Sequence, residues 1–405
     1  MNILYIAYSC NPFQGSEDKI GWNVPVESAK TNKVYVISKE EQRKPVEKYL
    51  SEHDVKNIEF FFVDIPSFYK KIFSGFMYSG RLNIWNKRAF QVAKRICIDK
   101  KIDIIHQITP VEFRAIGDYG KIQNTKFVCG PLGGAEKLPK ELKDYAKGHA
   151  IVEIVRLIIN YCYKVKLRIT GKFNDCNYLM FANKETLEFV GKHDQINRKP
   201  MTEIAVDQTE ISKKLVRNKL NQGKCIFLVA GRMIYRKGID LLLDALMRVP
   251  ENFEYEVRIV GEGPELEHLK KRCVTDNNLS KHVRFTGSIP YSEMEKQYEE
   301  ADVFIMPSIR ETTGTVLLES MARSVPVITI NKFGGAILLD DSTGWLYEGD
   351  SKESYINNLK DKIIMCVSNR KEIEIRGENA RKKAEMYTWQ EKNKKYQEIY
   401  KNIMK

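Results

Sequence analysis

Short apolar runs of β-type residues alternate with helix-forming stretches along the chain, and the alternation runs twice. The first series comprises NILYIAY (2–8), KVYVISK (33–39), EFFFVDI (59–65), DIIHQIT (103–109) and KFVCG (126–130). A polar segment around Asn197–Asp207, interrupted by Pro200, reads as a linker. The pattern then restarts with KCIFLVAGR (224–232), YEVRIVG (255–261), VRFTG (283–287), DVFIMP (302–307) and VPVITI (325–330). Helical segments such as GIDLLLDALMRV and MEKQYEEA follow these runs, the signature of a parallel sheet with crossover helices. At 405 residues the chain exceeds what one core usually organises, so two domains are expected. The expectation is an α/β protein of two consecutive Rossmann-like domains, residues 1–200 and 207–387, with a charged helical tail at 388–405. Trp389, Tyr396, Ile399 and Tyr400 give that tail one face to bury. Ligands of such folds sit beyond the carboxyl ends of the strands, so the post-strand loops are where chemistry is sought.

Several classes are excluded by what the chain lacks. MNILYIAYSC has no basic lead and no small-residue cleavage site, and reads as a first strand rather than a signal peptide. Charges interrupt every apolar run well short of the roughly 18 residues of a membrane span. The eight cysteines are scattered without a CxxC pair, which suits reduced, mostly buried thiols in a cytosolic protein and no zinc or disulfide framework. No GxxxxGK[ST] run occurs, and GEGPEL (261–266) has Leu266 where a dinucleotide fingerprint needs its third glycine. No Asp-x-Asp is present, so the commonest carboxylate pair for a metal-bound nucleotide sugar is missing and no metal site is expected.

The formal charge of +13 is local. Residues 66–101 carry nine basic groups and the single acid Asp99, a net of +8, and residues 147–172 carry six and the single acid Glu153, a net of +5. The two stretches account for the whole excess. In 84–100, Trp85, Ala89, Val92 and Ile96 recur at helical spacing, with Lys87, Arg88, Gln91, Lys94 and Arg95 mostly elsewhere. In 151–169, Glu153, Arg156, Asn160, Lys164 and Arg168 form one face and Ile151, Ile154, Val155, Ile158, Cys162, Val165 and Ile169 the other. Both segments are expected to bury their apolar stripes on a sheet and turn their cations outward. FYKKIFSGFMY (68–78) adds aromatics among lysines. Such a surface suits an anionic membrane, where each Lys or Arg contributes about 1 kcal/mol. No helix-turn-helix, zinc site or RNP signature supports nucleic acid as the partner.

Two motifs of the second half carry the chemistry. The strand at 224–230 runs into Gly231-Arg232-Met233-Ile234-Tyr235-Arg236-Lys237-Gly238 and then a helix. Glycines at both ends admit a close ligand, and Arg232, Lys237 and a helix N-terminus suit a diphosphate. The same residues would serve equally as a basic loop capping a helix. After DVFIMPS come Glu311-Thr312-Thr313-Gly314-Thr315 and then Glu319. With a helix starting near Gly314, its free amides suit an anion, and the carboxylates suit sugar or ribose hydroxyls because each accepts two hydrogen bonds. In the first half, GPLGG (130–134) is either a phosphate or acceptor loop or a tight glycine turn. His53, His149, His193, His268 and His282 read as surface or helix-end residues, and His106 as the end of a strand facing the expected cleft.

GRMIYRKG, RIVGEGPE, VRFTGSIP and above all PSIRETTGTVLLESMARSVPVIT resemble the retaining nucleotide-sugar glycosyltransferases of family 4, which have the GT-B fold. The likeness is strong over residues 224–350 and weaker in NILYIAYSCNPFQGSE, DIIHQITP and GPLGG. It implies two Rossmann-like domains facing a central cleft, with the C-terminal helix crossing back to the first. It also implies that Arg232 and Lys237 neutralise the donor diphosphate beside Gly231. Glu319 would hold the ribose, Glu311 with the amides of Thr313, Gly314 and Thr315 the transferred sugar, and Ser288–Ile289 the nucleobase. His106 would contact the donor sugar, and Gly15 and Ser16 would belong to a loop closing over donor and acceptor. No cofactor is implied beyond the nucleotide-sugar substrate.

The chain departs from the family in three places. Glu311-Thr312-Thr313-Gly314 replaces the usual Glu-Gly-Phe-Gly, Ser324 replaces a usual Gly, and Ala336-Ile337-Leu338 lacks the usual acid after Gly334-Gly335. The activity implied is metal-independent transfer of a sugar, UDP-linked by preference, to a lipid-linked saccharide in bacterial surface-polysaccharide synthesis, at the inner face of the membrane. The competing readings are a GDP-mannose-dependent mannosyltransferase, a silent GT-B subunit scaffolding an active partner, and a sugar-nucleotide epimerase of the same fold. Retention of Arg232, Lys237, Glu311 and Glu319 speaks against the silent subunit, and the acid/base constellation an epimerase needs is not found.

Overall fold

The structure, a computed structural model, describes residues 1–72, 78–191, 198–212 and 223–405. It divides into two compact units. The first comprises Met1–Ala135, Ile154–Ala205 and Trp389–Lys405, and the second Glu136–Glu153 and Val206–Thr388.

The first unit holds a seven-stranded sheet in the order β3-β2-β1-β4-β5-β6-β7. Its strands are β1 (Asn2–Ala7), β2 (Lys33–Lys39), β3 (Ile58–Val63), β4 (Ile104–Thr109), β5 (Lys126–Leu132), β6 (Tyr178–Phe181) and β7 (Arg198–Pro200). The second holds six strands in the order β10-β9-β8-β11-β12-β13. These are β8 (Cys225–Ala230), β9 (Tyr255–Val260), β10 (Val283–Gly287), β11 (Val303–Met306), β12 (Val327–Ile330) and β13 (Gly344–Tyr347). All pairings between these strands are parallel. Helices cover both faces of a parallel sheet, which is why the central strands read as continuous apolar runs rather than alternating ones. In each unit the strand order reverses beside the first strand, between β1 and β4 and between β8 and β11. Those reversals are the switch points where doubly wound sheets open a crevice.

Several boundaries differ from the sequence expectation. β6 and β13 have four residues each and were not anticipated. The stretch expected to be a linker begins with edge strand β7, whose Pro200 stands opposite Phe181. Proline is tolerated there because an edge strand does not need every N–H. The chain therefore stays with the first unit to Ala205. Conversely, Glu136–Glu153, expected in the first domain, belongs to the second. Leu142 and Tyr145 are buried in that unit's core. The Tyr145 hydroxyl donates to Asp244 at 2.6 Å, and the His149 ring stacks on Tyr235 at 4.3 Å. Tyr235 donates to Glu153, which also pairs with Arg310 at 3.1 Å. Apolar anchors plus a buried carboxylate decide where this segment packs.

The terminal helix Trp389–Met404 belongs to the first unit. Trp389, Tyr396 and Tyr400 are buried, and Asn393 donates to the Glu27 carbonyl of the helix Glu17–Ala29 at 3.4 Å. Lys392 is enclosed with them and donates to the Thr202 carbonyl. Burial pushes its ammonium down to about 7, against the pull of nearby Glu203.

The two basic helices orient in opposite ways. In Tyr78–Lys100, Trp85, Ala89 and Ile96 are buried while Lys87, Arg88, Lys94 and Arg95 are exposed, as the spacing predicts. In Ala150–Ile169 the expectation is inverted. Asn160 is fully buried and donates to the Gly134 carbonyl at 3.1 Å, joined there by Arg156 at 3.2 Å. Arg168 donates to the Val190 carbonyl at 2.9 Å, and Lys164 lies over the Phe189 ring at 4.9 Å. The polar stripe faces protein because it finds acceptors there, and the apolar stripe is left outside. The aromatic–lysine stretch 68–78 falls partly outside the described residues. Among the described residues no helix is long and apolar enough to cross a membrane.

Candidate functional site

The switch point of the second unit brings the two motifs together. The ends of β8 and β11 bound a crevice lined by Gly231, Arg232, Lys237, Pro307 and Ser308. After β8 the chain turns at Gly231, runs through a single 3₁₀ turn at Tyr235–Lys237, and enters the helix Ile239–Leu246 through Gly238. Gly238 is left-handed at φ 68°, and a Cβ there would lie 2.1 Å from the Pro307 carbonyl oxygen. Only glycine lets the two loops approach so closely. They are also stitched through the Arg236 carbonyl, which accepts from the Ile309 amide at 3.0 Å.

Across this junction Lys237 donates to Glu311 in an ion pair between two largely buried side chains. Burial by itself would raise the Glu311 carboxyl. The nearby Lys237 ammonium and Arg236 guanidinium outweigh it, and the carboxyl is held below its ordinary value. The other carboxylate oxygen accepts from the Thr312 amide at 3.3 Å. Arg232 is exposed at the crevice and forms no side-chain hydrogen bond or ion pair among the described residues. Three cations, Arg232, Arg236 and Lys237, thus stand against one carboxylate, a loop ready for an anion.

Beyond Glu311, Thr313 is fully buried and Gly314, at φ 91°, starts the helix Thr315–Ala322. Gly314, at the N-cap, has no side chain to cap that helix, and the Leu317 amide donates to the Gly314 carbonyl at 3.1 Å. The helix dipole places its positive end at this loop. A Cβ on Gly314 would fall 2.9 Å from the Met306 sulfur and 3.6 Å from Cγ of Glu311, which fixes the helix start against β11 and the ion pair. Gly334 backs the same loop, since a Cβ there would meet Thr313 Cα at 2.3 Å.

Glu319 lies in the second turn of that helix. Its two oxygens accept from the Tyr291 hydroxyl at 3.2 Å and the Tyr298 hydroxyl at 3.0 Å. Tyr298 is fully buried, and burial, then the Glu319 charge, pushes its hydroxyl well above its ordinary value, so it remains a donor. A carboxylate oxygen can accept more than one hydrogen bond. The tyrosines were missed in the sequence, although their spacing of seven in the helix Tyr291–Glu300 places both on one face. Ile289, half-buried, and the exposed Ser288 directly precede that helix, with the Ser288 amide donating to Glu262 at 3.5 Å.

The remaining expected site residues belong to the first unit. His106 is a correction: it is fully buried rather than lining an open site. Its Nε2 meets the Gly130 carbonyl at 2.8 Å and its Nδ1 the Tyr400 hydroxyl at 2.6 Å. A carbonyl only accepts, so Nε2 carries the proton, Nδ1 accepts from Tyr400, and Tyr400 accepts in turn from Tyr5 at 3.1 Å. Burial drives the imidazole down to about 3, against the favourable Gly130 bond. The neutral ring is a core strut joining β4, β5 and the terminal helix. Between that value and the ordinary one the unfolded chain binds a proton that the folded chain refuses, so stability falls as pH drops. The expected slope is about 1.4 kcal/mol per pH unit. Urea melts of wild type and His106→Gln across that range check this: the variant should lack that part of the slope. Gly15 and Ser16 are exposed, and Ser16, at φ 57°, precedes the helix Glu17–Ala29 without a side-chain cap. Glu17 itself accepts from the Val111 amide at 2.7 Å. Among the described residues no group of three His, Cys, Asp or Glu side chains could hold a metal ion.

Residues 210–383 match the family model "Glycosyl transferases group 1". An uncharacterised glycosyltransferase of Methanocaldococcus jannaschii is 26% identical over 212 residues, 52% of this chain and 57% of that protein. The GDP-mannose-dependent alpha-(1-6)-phosphatidylinositol monomannoside mannosyltransferase of Mycolicibacterium smegmatis is 35% identical over 149 residues, 34% of this chain and 38% of that protein. The chain thus spans 57% and 38% of the lengths of these relatives. Among solved structures, a glycosyltransferase from Rickettsia africae superposes with a TM-score of 0.65 at 17% identity, over 100% of this chain and 98% of that one. The fold is GT-B, built from two Rossmann-like units.

Proposed function

We propose that the chain is a retaining glycosyltransferase that moves a sugar from a nucleoside-diphosphate donor, UDP-linked by preference, to a lipid-linked saccharide. The observation that carries this reading is the switch-point crevice, where Arg232, the Lys237–Glu311 pair and an uncapped helix start converge. Fixed cations and amides stabilise a leaving diphosphate without reorganising during the reaction. Arg232 takes two phosphate oxygens and Lys237 adds a point charge. The amides of Thr313, Gly314 and Thr315, with Glu311, hold the transferred sugar. Glu319, kept in place by Tyr298, takes the ribose hydroxyls. The donor's C–O bond to phosphate breaks ahead of attack, the sugar passes through an oxocarbenium-like state, and the departing phosphate oxygen accepts the acceptor's proton. Attack from that same face retains configuration. The cations do the work a metal would otherwise do, so turnover is expected to persist in a chelator.

The membrane-facing part of this reading is a protein in the cytoplasm, peripheral on the inner face, building surface polysaccharide. It draws support from the exposed lysine and arginine face of Tyr78–Lys100 and from the M. smegmatis relative, whose name gives a phosphatidylinositol-linked acceptor. That relative is also GDP-mannose-dependent, which favours a second reading of the donor. Slow hydrolysis of a panel of UDP- and GDP-sugars in EDTA, with the released anomer followed by NMR, tests both. Release of the donor's own anomer from a UDP-sugar supports the proposal, turnover of GDP-mannose alone selects the second reading, and an inverted product overturns retention.

A further inference from the structure

The helix Ala150–Ile169 presents an outward face that the rest of the described protein leaves uncovered. Ile154 is 58% exposed, Ile158 57%, Tyr161 63% and Ile169 81%, with Val155 and Val165 exposed between them. From Ile154 to Ile169 this stripe runs roughly 22 Å at the usual rise per residue. Large aliphatic side chains stacked along one helix face in water mark an interaction surface rather than the scattered exposure of an ordinary monomer. The inversion is built in, because Arg156, Asn160 and Arg168 spend their donors on the Gly134 and Val190 carbonyls behind the helix.

We infer that this stripe is seated in the interfacial layer of an anionic phospholipid membrane, with the helix lying along the surface. It deepens the membrane reading above by naming the element that enters the lipid, and assigns the attachment to aliphatic side chains as well as to charge. The charges around the stripe select the occupant. The helix has one carboxylate, Glu153, which is buried and paired with Arg310. Lys166 and Arg168 are exposed at the edges of the stripe. Asn83 of the helix Tyr78–Lys100 donates to the Tyr163 hydroxyl at 3.3 Å, which ties the two helices together at that point. Lys87 and Lys94, one and three turns on from Asn83, are exposed on that same face. Glu188, the exposed acid of the neighbouring helix Lys184–Val190, lies 3.6 Å from Lys184. An apolar strip edged by cations is the pattern of an interfacial helix on anionic lipid. A second copy packed through a two-fold axis would bring together two faces whose edges carry the same sign of charge, so self-association fits the surface poorly.

The test is co-sedimentation of the full chain with vesicles of phosphatidylcholine, and of phosphatidylcholine mixed with phosphatidylglycerol. Wild type should pellet with the mixed vesicles, and Ile154→Glu/Ile158→Glu should lower its partition at least about tenfold. Lys87→Gln/Lys94→Gln should weaken binding to mixed vesicles while leaving any residual binding to neutral ones unchanged. Of the eight cysteines only Cys162 is exposed, and it lies within the stripe. A polarity-sensitive thiol dye there should shift to the blue when mixed vesicles are added. Equal pelleting of wild type and the isoleucine variant, or a dye that stays in water while the protein pellets, would overturn the inference. So would light scattering that shows a wild-type dimer without lipid which the isoleucine variant abolishes. The thermal shift produced by UDP reads donor binding separately in every variant, so loss of the membrane surface and failure of the transferase reading are distinguishable.

Discussion

Lys237→Ala should lower turnover by about 10²–10³-fold, or about 2.7–4 kcal/mol, the loss that follows removal of one preorganised charge-stabilising group. The ammonium bridges the two loops of the crevice through Glu311 and lines that crevice together with Arg232. It therefore acts where negative charge grows as the diphosphate leaves. The variant also strands a mostly buried carboxylate, and breaking such a pair from one side destabilises by about 3–5 kcal/mol where burial is complete. A smaller cost is expected here because both side chains retain some exposure. Lys237→Ala/Glu311→Gln removes that stranded charge, so it should recover stability but not rate. Steady-state kinetics beside thermal melts separate the two effects, and turnover of Lys237→Ala within threefold of wild type would contradict the assignment.

Glu319→Ala should act on binding more than on the chemical step. A carboxylate accepting from a ribose hydroxyl is worth about 1.5–3 kcal/mol, so donor KM should rise by roughly 10–150-fold with a smaller change in kcat. Tyr298→Phe should move KM in the same direction by a lesser amount, because Tyr298 only holds the carboxylate in place. A structural role alone would lower the melting temperature of both variants and leave donor KM unmoved. Initial rates over a donor series decide between them.

The strands that were legible in the sequence are those marked by β-branched residues, such as Cys225–Ala230 and Tyr255–Val260. Tyr178–Phe181 and Gly344–Tyr347, as long as the legible Val303–Met306 and Val327–Ile330, contain no Val, Ile or Thr, and Arg198–Pro200 looks polar because it needs only one neighbour. The loop residues Arg232, Lys237, Glu311 and Gly314 were legible because each motif carries its own strand, glycine and helix in order. His106 was misread for a reason of sides. Its place on β4 is local information, but the hydroxyl that covers it comes from Tyr400, 294 residues away. The helix Ala150–Ile169 failed in the same way. Periodicity reveals two faces, while the Gly134 carbonyl that chooses between them lies 22 and 26 residues upstream of its two donors. Long-range acceptors, not composition, settled both.

The crevice between the ends of β8 and β11 should bind a nucleoside diphosphate through its own cations. Calorimetric titration of UDP in the presence of EDTA, into wild type and into Arg232→Ala/Lys237→Ala, decides this. Saturable one-site binding to wild type, weakened at least about a hundredfold in the double variant, is the result expected from losing two charge-assisted contacts. Equal affinity in the two proteins, or no heat from either UDP or GDP in the wild type, would contradict it.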